Sequence, residues 1–74
     1  MSKVTVLGSG AWGTTLAQVL CDSGQDVLIW GRNSDVVNEI NSKNTNSKYL
    51  PGVVLPTQLR ACVDIQEAFD FGDS

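Results

Sequence analysis

The first 30 residues carry two kinds of apolar pattern, one typical of strands and one typical of a helix. Residues 3–7 are rich in β-branched side chains and predict a first strand. From Ala11 to about Ser23 apolar residues recur at helical spacing, and the predicted inward face consists of Trp12, Leu16, Val19 and Leu20. Gly24 is well placed to end this helix in the left-handed conformation. The unbroken apolar run Val27–Trp30 then predicts a parallel strand that is covered on both faces.

The next segment carries the signals of a second helix followed by an irregular stretch. Asn33 or Ser34 is suited to cap this helix, and its predicted inward face consists of Val36, Val37 and Ile40. Residues 41–48 are polar and rich in turn formers, so we expect a surface loop or a frayed helix end there. Pro51–Gly52 predicts a turn, and Pro56 excludes a central strand at its own position.

The last segment predicts one more strand and one more helix. Leu59–Val63 is a short apolar run that suits a third strand. Asp64 and Glu67 have the spacing of a capping box, which marks the start of a short helix. The predicted inward face of that helix consists of Ile65, Ala68 and Phe69.

The order strand, glycine loop, helix and strand within the first 30 residues is that of a βαβ unit. We therefore predict an α/β fold, namely the N-terminal β-α-β-α-β(-α) half of a dinucleotide-binding domain with a Rossmann-type parallel sheet. The 74 residues amount to about half of such a domain. Residues 1–74 are accordingly expected to form a partial domain without its substrate domain, inactive and poorly folded when alone.

A G-x-G-x-x-G motif lies between the first predicted strand and the first predicted helix. Gly8 permits the tight turn off the strand, Gly10 lets the backbone approach a diphosphate, and Gly13 lets the helix lie close to the strand. The diphosphate then meets the positive end of the helix. The candidate cofactor-binding residues of this motif are Gly8, Ser9, Gly10, Ala11, Trp12 and Gly13. Trp12 has two interpretations, a cofactor contact or a core side chain.

Two other nucleotide loops are weighed against this interpretation. Gly8 and Gly13 also match the outer glycines of a P-loop, but Thr14 stands where that loop requires a lysine, so a P-loop NTPase is excluded. A FAD-binding unit is compatible with the glycines, although it usually has an acidic residue at the end of the second strand.

The end of the second predicted strand bears on the choice between NADP and NAD. A NAD site usually places an acidic residue there to hold the ribose hydroxyls, but this sequence has Arg32 instead. A guanidinium suits a 2′-phosphate or stacks on adenine. We therefore hypothesise that NADP(H) is accepted and preferred over NAD(H). The alternative is a solvated arginine in a loop.

Composition narrows the class of protein further. The net charge is −3, with no cluster of Lys and Arg, which argues against a nucleic-acid surface. Cys21 and Cys62 have no paired spacing and there is no histidine, so we expect small buried thiols in a reducing compartment and neither a disulfide nor a metal site. No apolar run approaches the length of a membrane span, and the glycines interrupt any signal peptide, so a cytoplasmic location is expected.

The motif in its context resembles the N-terminus of the bacterial-type NAD(P)-dependent glycerol-3-phosphate dehydrogenases. The resemblance covers nearly the whole chain and is carried by residues 8–17, 28–32, 37–41, 49–53 and 55–56. The most selective part is Ile40–Asn41 followed by the Tyr-Leu-Pro-Gly run of residues 49–52.

The resemblance implies an activity, a cofactor site and an assembly. The activity is reversible hydride transfer between NAD(P)H and dihydroxyacetone phosphate, which yields sn-glycerol 3-phosphate for phospholipid synthesis. The family's cofactor contacts carry over to Trp12, Arg32, Asn33 and Tyr49, while packing under Pro51–Gly52 is the alternative for Tyr49. A helical C-terminal substrate domain and a homodimer are also implied. The family's catalytic lysine lies beyond residue 74, so no catalytic residue is assigned here.

Two other functions remain open on the sequence alone. One is a different small-substrate dehydrogenase of similar N-terminal build, of the ketopantoate-reductase or hydroxyacyl-dehydrogenase type. The other is a non-catalytic module that senses NAD(P).

Overall fold

A computed structural model describes residues 3–72, in which three helices and five strands are present. In chain order the elements are β1 (Lys3–Leu7), α1 (Ala11–Asp22), β2 (Asp26–Trp30), α2 (Ser34–Lys43), β3 (Thr45–Asn46), β4 (Leu50–Val54), β5 (Arg60–Cys62) and α3 (Ile65–Phe71). The outer bounds of the predicted domain, residues 1 and 74, lie outside the described residues.

The central sheet is parallel and has the strand order β1-β2-β5. Leu7 pairs with Trp30, and Trp30 pairs with Cys62, so all three strands end at one edge. Two backbone bonds extend the ladder past these ends, from Gly8 N–H to Trp30 O at 2.7 Å and from Gly31 N–H to Cys62 O at 3.0 Å. The predicted α/β fold with a Rossmann-type parallel sheet is confirmed. The loops after the strands therefore start side by side, as ligand sites of this fold require.

The main core fills the space between the sheet and helices α1 and α2. Ile29, Ile40 and Leu59 are its fully buried large side chains, one from β2, one from α2 and one from the residue before β5. Burial of each contributes roughly 1.5–3 kcal/mol to folding. On the other face of the sheet, Ala68 of α3 joins a smaller cluster with Leu28 and Cys62.

Helix α1 packs on the sheet through small side chains, not through the apolar face predicted for it. Thr14 and Ala17 are its fully buried residues. The predicted inward residues Trp12, Leu16 and Val19 are exposed, and only Leu20 packs partly against the core. This prediction was wrong because the helix lies too close to the strands for large side chains to fit between them.

The predicted helix ends are largely confirmed. Asn33 caps α2 through its side-chain oxygen, which accepts bonds from the N–H groups of Asp35 and Val36. Gly24 has a φ of 93°, as expected of a residue that follows a helix in the left-handed region. Asn44 ends α2 in the same region with a φ of 57°, which asparagine tolerates better than most residues.

The polar stretch 41–48 is not a loop or a frayed end. Helix α2 continues to Lys43, and Thr45–Asn46 then pairs antiparallel with β4, so residues 45–54 form a hairpin. Glu39 supports it, because its carboxylate accepts bonds from Thr45 Oγ1 at 2.6 Å and from Ser47 N–H at 2.9 Å. Pro51–Gly52, predicted as a turn, lies within β4. These contacts join residues six and eight apart, which local turn propensity does not report.

Helix α3 starts as predicted but buries less than predicted. Asp64 caps it by accepting a bond from Gln66 N–H at 2.9 Å. Of the predicted inward residues only Ala68 is buried, whereas Ile65 and Phe69 are exposed. Phe71 packs against the smaller cluster instead. Strand β5 is shorter than the predicted Leu59–Val63, since Leu59 lies in the core ahead of the strand and Val63 lies beyond it.

Candidate dinucleotide-binding site

The glycine loop leaves β1 at the carboxyl edge of the sheet and runs directly into α1. Gly8 has a φ of 120°, a backbone conformation that disfavours residues with a Cβ. A Cβ on Gly13 would overlap the carbonyl oxygen of Gly8, so the close approach of α1 to this loop requires glycine there. A Cβ on Gly10 would meet no atom within 4 Å. The space beside Gly10 is therefore open to a ligand, which is the feature a diphosphate needs.

The start of α1 has no cap from the chain itself. Gly10 is the N-cap residue and has no side chain, and the first turn contains no acidic residue. The first intrahelical bond runs from Thr14 N–H to Gly10 O at 2.9 Å. The N–H groups of Ala11, Trp12 and Gly13 precede it and have no partner within the helix. These donors and the positive end of the helix dipole suit an anion.

The end of β2 touches the glycine loop. A Cβ on Gly31 would overlap the side chain of Ser9, so the two segments lie as close as a glycine allows. Arg32 follows and is exposed, which leaves its guanidinium accessible at this edge. Asn33 uses its side-chain oxygen to cap α2, and any contact with a ligand is left to its amide nitrogen.

The two aromatic candidates belong to different elements, Trp12 to α1 and Tyr49 to the hairpin. Trp12 is 90% exposed at the start of α1, so it is not part of the core that residues 3–72 form. It lines a groove of about 440 Å³ between β1 and α1, together with Leu7 and Leu16. Tyr49 is 40% exposed in the hairpin, and Lys48 Nζ lies 5.4 Å from its ring centroid.

A buried polar cluster joins the hairpin to the glycine loop. Asn46 is fully buried, and its Nδ2 donates to Ser9 O at 2.9 Å and to Thr14 Oγ1 at 3.0 Å. Thr14 Oγ1 donates to the same Ser9 carbonyl at 3.2 Å. Asn46 Oδ1 accepts a bond from Tyr49 N–H at 3.4 Å. Sequence reasoning missed both Asn46 and Thr14, because no local pattern marks a polar residue that finds its partner 37 positions away.

The structure thus gathers the nine candidate residues around one edge of the sheet. The glycine motif and Arg32 follow β1 and β2 directly, and Tyr49 is joined to Ser9 through Asn46. Whether these residues contact a cofactor stays a prediction.

Comparison with known proteins decides the family. The model of the family described as "NAD-dependent glycerol-3-phosphate dehydrogenase N-terminus" matches residues 3–73. The chain belongs to this family. Relatives named "Glycerol-3-phosphate dehydrogenase [NAD(P)+]" from Bacillus thuringiensis and Bacillus mycoides are each 53% identical over 68 residues, or 92% of this chain. The resemblance noted in the sequence is confirmed. The chain spans 20% of the length of these relatives.

Solved structures of glycerol-3-phosphate dehydrogenases share the fold. The enzyme from Coxiella burnetii superposes with a TM-score of 0.86 at 37% identity, over 96% of this chain and 22% of its own. The one from Plasmodium falciparum gives a TM-score of 0.88 at 31% identity, over 97% and 23%. The parallel sheet and its glycine loop therefore have the arrangement found in the family.

Neither cysteine is paired, and burial raises the pKa of both thiols above the ordinary value. Both thiols therefore stay protonated at neutral pH. Cys62 is buried, as predicted for a small packing residue, whereas Cys21 is only partly buried. Within residues 3–72 there is no group of side chains arranged to hold a metal ion. No helix in the same range is long and apolar enough to cross a membrane.

Proposed function

We propose that this chain binds NADPH or NADH at the carboxyl edge of its sheet. The whole protein would use the nucleotide to interconvert dihydroxyacetone phosphate and sn-glycerol 3-phosphate for glycerophospholipid synthesis. The observation that carries this proposal is the uncapped start of α1 beside the open space at Gly10. The family match and the printed names of the relatives support the same activity.

Each candidate residue has a defined part in the proposed site. The diphosphate lies against the backbone from Gly8 to Gly13 and accepts bonds from the free N–H groups of α1. Arg32 pairs with the 2′-phosphate of NADPH or stacks on adenine. Trp12 of α1, the α2 cap residue Asn33 and Tyr49 of the hairpin surround the nucleotide.

In the proposed reaction the cofactor, this chain and the rest of the protein have separate parts. The nicotinamide supplies the hydride when bound, and this chain contributes placement and electrostatics. Protonation of the substrate oxygen is assigned to residues outside the chain. By itself the 74-residue chain is therefore expected to be inactive.

The activity is tested by NADPH oxidation with dihydroxyacetone phosphate, using the full-length protein. Turnover with this substrate, and none with ketopantoate or a 3-ketoacyl thioester, supports the proposal and excludes the rival dehydrogenases. Clear binding of NADPH without turnover would indicate a nucleotide sensor instead.

Cofactor preference is tested by Arg32→Ala. If Arg32 holds the 2′-phosphate, the variant loses affinity for NADPH by about tenfold or more and keeps its affinity for NADH. Arg60→Ala is the matched control, since Arg60 is an exposed arginine that donates to Thr57 O at 3.1 Å, within its own segment. Equal losses for the two nucleotides in Arg32→Ala would indicate stacking on adenine, and unchanged affinities for both would assign Arg32 to solvent.

We also propose that residues 1–74 are one half of a dinucleotide-binding domain. One edge of β1 pairs with β2, and within residues 3–72 no strand pairs with the other edge. Beside that edge lies the groove lined by Leu7, Trp12 and Leu16, which are all more than half exposed. In this fold the fourth strand lies next to the first, so a further strand of the protein would cover Leu7 and Leu16.

Melting measurements test the half-domain proposal. The isolated 74-residue chain should unfold without a sharp transition, whereas the full-length protein should melt cooperatively. A sharp transition in the isolated chain would show that the three-stranded core is sufficient by itself.

The full-length protein is proposed to be a homodimer in the cytoplasm. Light scattering of the full-length protein tests the dimer, and fractionation of cells tests the location.

A further inference from the structure

We propose that Asn46 is a positioning residue that, together with Thr14, fixes the orientation of the Ser9–Gly10 peptide for anion binding. The proposal rests on dinucleotide binding at the glycine loop and adds to it a residue from outside the motif. It concerns the carbonyl of Ser9, which accepts two side-chain hydrogen bonds.

The Ser9 carbonyl is held from the interior of the molecule. Asn46 and Thr14 are both fully buried, and Ser9 is buried as well. Asn46 Nδ2 and Thr14 Oγ1 donate to the carbonyl oxygen at 2.9 Å and 3.2 Å, and Asn46 also donates to Thr14 at 3.0 Å. Three bonds among three buried groups leave the carbonyl one stable direction, which is inward.

The direction of this carbonyl sets the direction of the next N–H group. The peptide is trans, so the Ser9 C=O and the Gly10 N–H point to opposite sides. With the carbonyl held inward, the Gly10 N–H points away from the interior. The position of a Cβ on the same residue has no atom within 4 Å, so this side of the loop is open. A flipped peptide would present a carbonyl oxygen to the diphosphate, and the two would repel each other. The cluster therefore selects the orientation that binds an anion.

Support of the hairpin alone does not explain the placement of Asn46. The carboxylate of Glu39 already ties the hairpin to α2 through Thr45 Oγ1, Ser47 N–H and Ser47 Oγ, at 2.6, 2.9 and 3.0 Å. The side-chain NH₂ group of Asn46 donates one hydrogen bond to the glycine loop, at Ser9 O, and one to α1, at Thr14 Oγ1. A buried amide is costly unless it is hydrogen-bonded, so a residue needed only for packing would be apolar.

The test measures dissociation constants of the full-length protein and its Asn46→Asp variant for two probes. NADPH contains the diphosphate, and 2′-AMP contains the adenosine and the 2′-phosphate without it. Aspartate keeps the size of asparagine but loses the NH₂ donor, so the Ser9 carbonyl loses its shorter bond and keeps only the one from Thr14 Oγ1. The dissociation constant for NADPH should rise about tenfold or more, while that for 2′-AMP stays the same. Ser47→Ala is the matched control, because it weakens the hairpin through its bond to Glu39 without touching the loop.

The possible outcomes separate the two proposals. Equal losses for both probes, or no loss for NADPH, would overturn the positioning role while leaving cofactor binding intact. If the unaltered protein binds no NADPH, the proposed function itself fails, and the role of Asn46 with it.

A second pair of variants decides the matter if Asn46→Asp does not fold. Thr14→Val removes the hydroxyl that donates to Ser9 O, whereas Thr14→Ser retains it. The valine variant should lose affinity for NADPH but not for 2′-AMP, and serine should restore it. Equal affinity of the two variants for NADPH would contradict the proposal.

Discussion

Helices α1 and α2 start at the same edge of the sheet, but their first N–H groups are treated differently. At α2, Asn33 Oδ1 accepts bonds from Asp35 N–H at 2.9 Å and from Val36 N–H at 3.4 Å. Asp35 also places a negative charge in the first turn. At α1 the cap residue is Gly10, and neither a side-chain cap nor an acidic residue is present. Helix α2 is capped by its own sequence, whereas the start of α1 has no side-chain cap.

The two helices also differ in the side chains through which they pack on the sheet. Helix α2 is held by Val36, Val37 and Ile40, large side chains that are buried in the main core. Helix α1 is held by small residues at Gly13, Thr14 and Ala17, which bring its start next to β1. The start of α2 is stabilised by its own side chains, whereas the start of α1, at the same sheet edge, is the proposed binding surface.

The largest expected effect on stability comes from disturbing the close contact between the start of α1 and the glycine loop. In Gly13→Ala the new Cβ overlaps the Gly8 carbonyl, which is backbone and has little freedom to move. The helix must shift, and we expect a loss of about 3 kcal/mol in the free energy of unfolding of the full-length protein. Urea denaturation measures it. Gly10→Ala is the matched control, since a Cβ there meets no atom within 4 Å. Equal stability of the two variants would show that α1 does not need glycine at Gly13 to pack against the loop, which would contradict the comparison of the two helices.

A smaller effect is expected from removing the cap of α2. Asn33→Ala leaves the N–H groups of Asp35 and Val36 without their side-chain acceptor. We expect a loss of about 1 kcal/mol in the free energy of unfolding, measured by urea denaturation. Asn33→Asp retains an acceptor oxygen and should restore most of the loss. A fully stable alanine variant would mean that α2, like α1, needs no cap from the chain.

The smallest expected effect is a pH dependence at the far end of α2. The bonds from Thr45 and Ser47 lower the pKa of Glu39 below its ordinary value. The carboxylate therefore adds stability above the ordinary pKa, and the contribution is lost as the pH falls through the lowered one. Urea midpoints of the full-length protein and of Glu39→Gln, compared from about pH 7 downward, should converge in acid. A constant difference at all pH values would contradict this reasoning.

The sequence predicted those parts of the fold that depend on neighbours in the chain. The parallel sheet followed from the apolar runs, and the cap at Asn33 and the left-handed Gly24 followed from short-range chemistry. The glycine loop was predicted because the spacing of Gly8, Gly10 and Gly13 reflects backbone requirements that are local.

What escaped prediction depends on distant contacts. The helical spacing of Trp12, Leu16 and Val19 suggested a buried face, but proximity to the sheet favours small residues, so the large ones lie outside. Asn46 was assigned to a polar stretch, although its amide bonds to Ser9 inside the molecule. Helical periodicity and turn propensity carry no information about which element packs nearby.

The most direct test of the account is the affinity of the full-length protein for NADPH after Gly10→Val. The backbone of Gly10 has a φ of −72° and a ψ of −175°, which valine adopts readily, and the added side chain occupies open space. We predict a melting temperature lowered by about 5 °C or less, since valine is a weaker N-cap residue than glycine. The dissociation constant for NADPH should rise by about a hundredfold or more. Undiminished affinity in this variant would show that the diphosphate does not lie against Gly10, and the proposed binding site would be wrong.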